Sequence, residues 1–132
     1  MSGISTPILE YLATRLGEIG EIDAAYLMGS AASGQLRSDS DLDIALLPTR
    51  GAQFPGRRLA ELAADLETIA GLPVDLGILH TGNLVYAKET VSRGKLFYER
   101  DPAARRRFAM LALSMYAELQ ETRREILDAY AC

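Results

Sequence analysis

Gly29-Ser30-Ala31-Ala32-Ser33-Gly34-Gln35-Leu36-Arg37-Ser38-Asp39-Ser40-Asp41-Leu42-Asp43 is the stretch on which the reading of this chain turns. The glycine follows the apolar run Ile22-Asp23-Ala24-Ala25-Tyr26-Leu27-Met28, and the two acids open Asp41-Leu42-Asp43-Ile44-Ala45-Leu46-Leu47. Both flanking runs read as strands, the second ended by Pro48, so the segment between them is a loop with room for one helical turn. A glycine directly after a strand lets the backbone approach a phosphate closely. A following serine hydroxyl and exposed N–H groups then hold phosphate oxygens. Asp41 and Asp43, two apart on a strand, point to one face. Like charges so close are unfavourable alone and favourable around a hard divalent cation. Magnesium takes one or two carboxylates and completes its shell with substrate phosphates.

Working outward, Thr6-Pro7 reads as a helix start, with the hydroxyl as cap. Ile8, Leu12, Leu16 and Ile19 recur at helical spacing, and Gly20 closes that segment. A second helix is predicted from about Arg57 to Ala70, with Leu59, Leu62, Leu66 and Ile69 on one face and Gly71 as its stop. Pro73 to Leu79 reads as a third strand, Thr81 to Arg93 as a short helix, and Lys95 to Tyr98 as a fourth strand. Asp101-Pro102 caps a last helix running to about Ala129. The order implies an α/β (α+β) fold: a mixed sheet of about four strands flanked by helices, in a single domain over residues 1–132.

Asp75 is the one acid in the third strand. An acid inside an apolar strand is costly unless paired or metal-bound, so it is a candidate third ligand; a strand-end position in water or an arginine partner are the alternatives. The last helix carries a seam of Phe108, Ala112, Met115, Leu119, Thr122, Ile126 and Ala129. At roughly 40 Å it exceeds what a small domain needs for its own core, and its second half is a candidate docking element.

The composition removes several classes of function. With 14 Lys+Arg against 18 Asp+Glu, the formal net charge is -4, which argues against a general nucleic-acid coat protein. A lone cysteine, Cys132, cannot form an internal disulfide or a cysteine-based zinc site. A lone histidine, His80, excludes His-cluster chemistry and reads as a capping or surface residue. No basic flank with an apolar core opens the chain and no apolar run has membrane-span length, so a soluble cytoplasmic protein is expected. An EF-hand reading of Asp39 to Arg50 fails, because Ile44 stands at the obligatory glycine and Arg50 at the obligatory glutamate. A P-loop reading fails at Gln35-Leu36, where Lys-Ser/Thr is required. Arg93, Lys95, Arg100, Arg105, Arg106 and Arg107 form a local basic cluster, read equally well as a solvated face or as a contact for an acidic partner or phosphates.

The pattern Gly-Ser, ten residues, Asp-x-Asp resembles the signature of the DNA-polymerase-β-like nucleotidyltransferase superfamily. Asp75 in Val-Asp-Leu and the short length look like its minimal nucleotidyltransferase branch. Gly94 to Asp101 and Ser114-Met115-Tyr116 are similar to MntA-type antitoxins of HEPN/MNT toxin–antitoxin systems. The resemblance implies that Gly29, Ser30 and Ser40 bind the nucleotide. It implies that Asp41, Asp43 and Asp75 bind two Mg²⁺ ions, with Asp75 helping to deprotonate the attacking hydroxyl. The implied substrate is ATP, and the implied partner a HEPN-family RNase toxin in a hetero-oligomeric complex whose tyrosine receives AMP. Neither a nucleic acid nor a membrane is implied as a direct partner. Many relatives have Ala-Arg-Gly where this chain has Ala32-Ser33-Gly34, which leaves Arg37 as the candidate phosphate-facing cation. A non-catalytic antitoxin acting by stoichiometric binding and a small-molecule nucleotidyltransferase are the alternatives.

Overall fold

The computed structural model describes residues 4–37 and 39–131; the expectations for Cys132 and for Ser38 within the motif lie outside these. The element order is α1 (Thr6–Gly17), β1 (Ile22–Met28), α2 (Gly29–Ala32), β2 (Leu42–Pro48), α3 (Gly56–Ala70), β3 (Val74–Ile78), α4 (Leu84–Arg93), β4 (Lys95–Glu99) and α5 (Pro102–Ala131). The sheet runs β3-β2-β1-β4, with β1 antiparallel to both β2 and β4, and β2 parallel to β3. The parallel pair requires a crossover, which α3 supplies. This is the mixed α/β sheet with flanking helices that the sequence predicts.

Helices cover both faces, which explains why β1 and β2 read as nearly continuous apolar runs. On one face Ala25, Leu27, Ile44 and Leu46 pack with Leu12 and Leu16 of α1 and Leu62 and Leu66 of α3. On the other, Ala24, Tyr26, Ala45, Leu47 and Leu79 form a smaller core joined by Met28, Tyr86 of α4 and Phe108 of α5. Residues two apart share a face, so Asp43 and Asp75 belong to the α4/α5 side, in line with Ala45 and Leu47 on β2 and with Leu79 beyond β3.

Asp23 is buried in the irregular register between Ile22 and Ala24. It forms an ion pair with Arg100 and accepts a hydrogen bond from Thr49 Oγ1 at 3.0 Å. Arg100 also donates to Thr49 Oγ1 at 2.9 Å and to the Ile22 carbonyl at 3.3 Å. One arginine thus ties the start of β1, the exit from β2 and the entry to α5. Breaking such a pair strands a buried charge.

Several boundaries differ from the sequence reading. Helix α1 begins at Thr6 itself, capped by Ser5 without a side-chain bond, so Thr6 is not the cap, and the helix stops at Gly17 ahead of Gly20. Strand β2 runs from Leu42 through Pro48, which pairs with Ile22, so the proline is its last residue. Helix α4 starts at Leu84, because Asn83 Oδ1 accepts from the Tyr86 N–H at 3.3 Å and sets the cap after the Thr81-Gly82 turn. Along α5 the predicted seam splits: Ala112 is buried and Phe108, Met115 and Leu119 are half-buried, while Thr122, Ile126 and Ala129 are exposed. Everything described from Glu121 onward faces solvent. Among the described residues no helix is long and apolar enough to cross a membrane.

Leu66 is fully buried between α3 and the sheet. Leu66→Ala is expected to cost about 2–5 kcal/mol in urea unfolding. A loss below about 1 kcal/mol would contradict this core assignment.

Candidate functional site

The sheet register builds the site. Met28 pairs with Asp43 across the antiparallel strands, and Asp43 pairs with Asp75 across the parallel ones. Three adjacent strands therefore place the end of β1 and two carboxylates in a single row. The chain leaves β1 at Gly29, whose φ of 59° lies in the left-handed region that L side chains rarely adopt. A Cβ at that position would stand 2.9 Å from Asp43 Oδ2. Glycine is thus required twice here, for the turn and for the space beside the carboxylate.

Met28, Gly29, Asp43, Asp75, Leu76, Gly77 and Tyr86 line a cavity of about 420 Å³. Burial raises the Asp43 carboxyl above its ordinary range, and the charges of Asp75 and then Asp41 push it further. Burial also raises the Tyr86 phenol, with the charges of Asp43 and Asp75 adding to the effect. Asp41 is exposed and lies one residue before β2, so it contributes charge at the site without lining the cavity. Ser30, the residue after Gly29, lines a second groove of about 710 Å³ together with Gln35, Arg37, Asp39 and Ser40. Within it the Arg37 N–H donates to Ser40 Oγ at 3.1 Å. Ser33 turns back, its hydroxyl donating to the Ser30 carbonyl at 3.2 Å.

Among the described residues no three His, Cys, Asp or Glu side chains gather as a ready-made ion cage. The arrangement fits Mg²⁺ in its usual manner, held through one or two carboxylates and completed by phosphate oxygens. Asp43 and Asp75 are hard oxygen donors that repel each other, and the open space at Gly29 gives access to Asp43.

Of the sequence candidates, Gly29, Asp43 and Asp75 come together around the cavity, Ser30 and Ser40 share a second groove with Arg37, and Asp41 lines neither but acts on Asp43 through its charge. The basic cluster disperses: Arg100 and Arg105 form ion pairs with Asp23 and Glu99, and Arg93 lies 3.7 Å from Glu89. His80 is exposed, and its Nδ1 accepts from the Gly82 N–H at 3.1 Å, as a turn-capping residue would. Tyr86 was not among the sequence candidates, because only tertiary packing carries it to the carboxylates.

The family model described as polymerase beta, nucleotidyltransferase matches residues 9–103. The chain belongs to this nucleotidyltransferase family. It is 32% identical over 112 residues to the protein adenylyltransferase MntA of Shewanella oneidensis, covering 83% of this chain and 77% of that protein. Its fold matches a chain in the crystal structure of a toxin–antitoxin with AMP-PNP, with a TM-score of 0.74 and 28% identity, over 96% of this chain and 98% of the other. It also matches a chain in the structure of a tri-AMPylated Shewanella oneidensis HEPN toxin in complex with MNT antitoxin. That match has a TM-score of 0.67 and 25% identity, over 94% and 99% of the two chains.

The strain at Asp43 has a measurable sign. The folded chain holds this proton more tightly than the unfolded chain does, so the group favours folding below its unfolded pKa, and that contribution is lost as pH rises through the higher folded value. Asp43→Asn is therefore expected to raise the thermal midpoint of magnesium-free protein at neutral pH. The advantage should vanish below about pH 4. Equal midpoints at neutral pH would show that neither burial nor the neighbouring carboxylates destabilise the charged Asp43 in the folded chain.

Proposed function

We propose that this chain is an antitoxin nucleotidyltransferase that transfers AMP from ATP to a tyrosine hydroxyl of a cognate HEPN-family RNase toxin and thereby silences it. The observation that carries the reading is the in-register pair Asp43 and Asp75 beside Gly29, with a second groove lined by Ser30, Arg37 and Ser40. The likeness to a protein adenylyltransferase supports it. In this reading residues 1–132 act as one minimal nucleotidyltransferase domain, in the cytoplasm.

The roles follow from chemistry. Gly29, Ser30 and Ser40 would hold the phosphates, with Arg37 supplying the cation that Ser33 does not. Asp41, Asp43 and Asp75 would hold two Mg²⁺ ions, which when bound offset phosphate charge and polarise the phosphorus under attack. Asp75 accepts the proton of the attacking tyrosine hydroxyl. The tyrosine oxygen forms a bond to the α-phosphorus as the bridge to the β-phosphate breaks, and pyrophosphate departs. The added phosphate brings negative charge and bulk to the toxin, unfavourable for an RNA ligand.

The exposed end of α5 favours a second component, docking. Ile126, Leu127 and Tyr130 are exposed beyond the part of the helix that packs on α4 and β1. Binding without turnover would use this end alone.

Intact-mass spectrometry of the cognate HEPN protein, incubated with this chain, ATP and Mg²⁺, separates the two. Whole AMP units are expected with wild type, and at least a hundredfold slower transfer with Asp43→Asn, on the order of several kcal/mol of barrier. Full transfer by Asp43→Asn contradicts the carboxylate mechanism. Neutralisation without any mass change, lost on truncation after Gln120, establishes docking instead.

A further inference from the structure

Gly77 lies inside β3, two residues beyond Asp75 and on the same face. Glycine in a strand interior weakens the strand and marks a place where another group comes close. The group here is Tyr86. A Cβ at Gly77 would overlap the Tyr86 hydroxyl and stand 2.7 Å from its Cζ. Tyr86 is fixed from its own side as well. Its N–H is capped by Asn83, its carbonyl accepts from Thr90 Oγ1 at 2.9 Å, and its ring joins the core of Ala24, Tyr26, Ala45, Leu47 and Leu79.

The ring is thus held by the core while the residue lines the cavity of Asp43 and Asp75. Among the described residues the Tyr86 hydroxyl makes no hydrogen bond and no buried side-chain oxygen lacks a partner, so this hydroxyl is open to solvent and available to a ligand in the cavity. The other side chains of that cavity are carboxylates and apolar groups, so this hydroxyl is its side-chain proton donor. The Ser30–Ser40 groove starts at the residue after Gly29, whereas Tyr86 lies on the β3 side. A triphosphate lying along that groove would present its reacting end between the two.

We propose that Tyr86 is a substrate-contacting residue whose hydroxyl, admitted by Gly77, donates a hydrogen bond to a non-bridging oxygen of the nucleotide's α-phosphate. The assignment rests on the nucleotidyltransferase reading of the site. It gives the pair Gly77 and Tyr86 a single purpose: the glycine removes a side chain so that a hydrogen-bond donor can stand beside carboxylates, which themselves offer the phosphate no donor.

The test uses the chain alone, without a toxin. Calorimetry measures affinity for AMP-PNP with Mg²⁺, and for the Rp and Sp diastereomers of α-thio-ATP, in wild type, Tyr86→Phe and Gly77→Ala. Tyr86→Phe keeps the ring and is expected to keep the thermal midpoint, while binding the analogue about ten- to a hundredfold more weakly. The preference of wild type between the two diastereomers should shrink in Tyr86→Phe. Gly77→Ala, which displaces the phenol, should weaken binding in the same direction. Wild type that binds no nucleotide contradicts the nucleotidyltransferase reading, and this assignment with it. Binding by wild type with an unchanged diastereomer preference in Tyr86→Phe overturns the Tyr86 assignment alone, whatever happens to overall affinity.

Discussion

Two carboxylates, Asp43 and Asp75, stand opposite each other on neighbouring parallel strands. Left to themselves they would separate: burial is the main reason the Asp43 carboxyl is raised, and the charge of Asp75 adds to it. Backbone pairing keeps them together: Leu42 pairs with Val74, Ile44 with Leu76 and Leu46 with Ile78, with Leu42, Ile44 and Leu46 at most 1% exposed. A one-residue slip would turn every one of these side chains to the opposite face. The apolar packing that stabilises the sheet is therefore also what holds the charged pair in place.

Much else in the fold serves this row. Helix α3 is the crossover that makes β2 and β3 parallel. The antiparallel pairing of β1 with β2 brings Met28 level with Asp43, so the chain turns away at Gly29 beside the carboxylate. The Arg100 network ties β1, the exit from β2 and α5 at the opposite end of the strands from Asp43. Beyond about residue 120 the long helix leaves the domain with its apolar residues uncovered, a surface suited to a partner.

The proposed site residues around the first loop were readable because they lie close in sequence. Gly29, Ser30, Asp41 and Asp43 are joined by one loop whose spacing is itself the signal. Asp75 stood out as an acid among apolar residues, but the structure leaves it exposed, so the cost of burial that marked it does not apply, and its register opposite Asp43 is what places it. Strand order was not readable, since the segment between β1 and β2 is long enough to permit several pairings. Gly77 and Tyr86 were invisible for a related reason: each is unremarkable in its own segment, and only the docking of α4 on the sheet makes one explain the other. Asp23 and Arg100 are a long-range pair of the same kind. The start of α4 was legible in principle, because Asn83 is a good cap, but the Thr81-Gly82 turn hid it.

The most direct test is to locate a metal ion. A crystal grown with Mn²⁺ and AMP-PNP, measured for anomalous scattering, shows where the cation sits. The account requires the peak between the carboxylates of Asp43 and Asp75, with the phosphates running past Gly29 toward Ser30 and Ser40. A bound nucleotide whose manganese lies away from both carboxylates would contradict it.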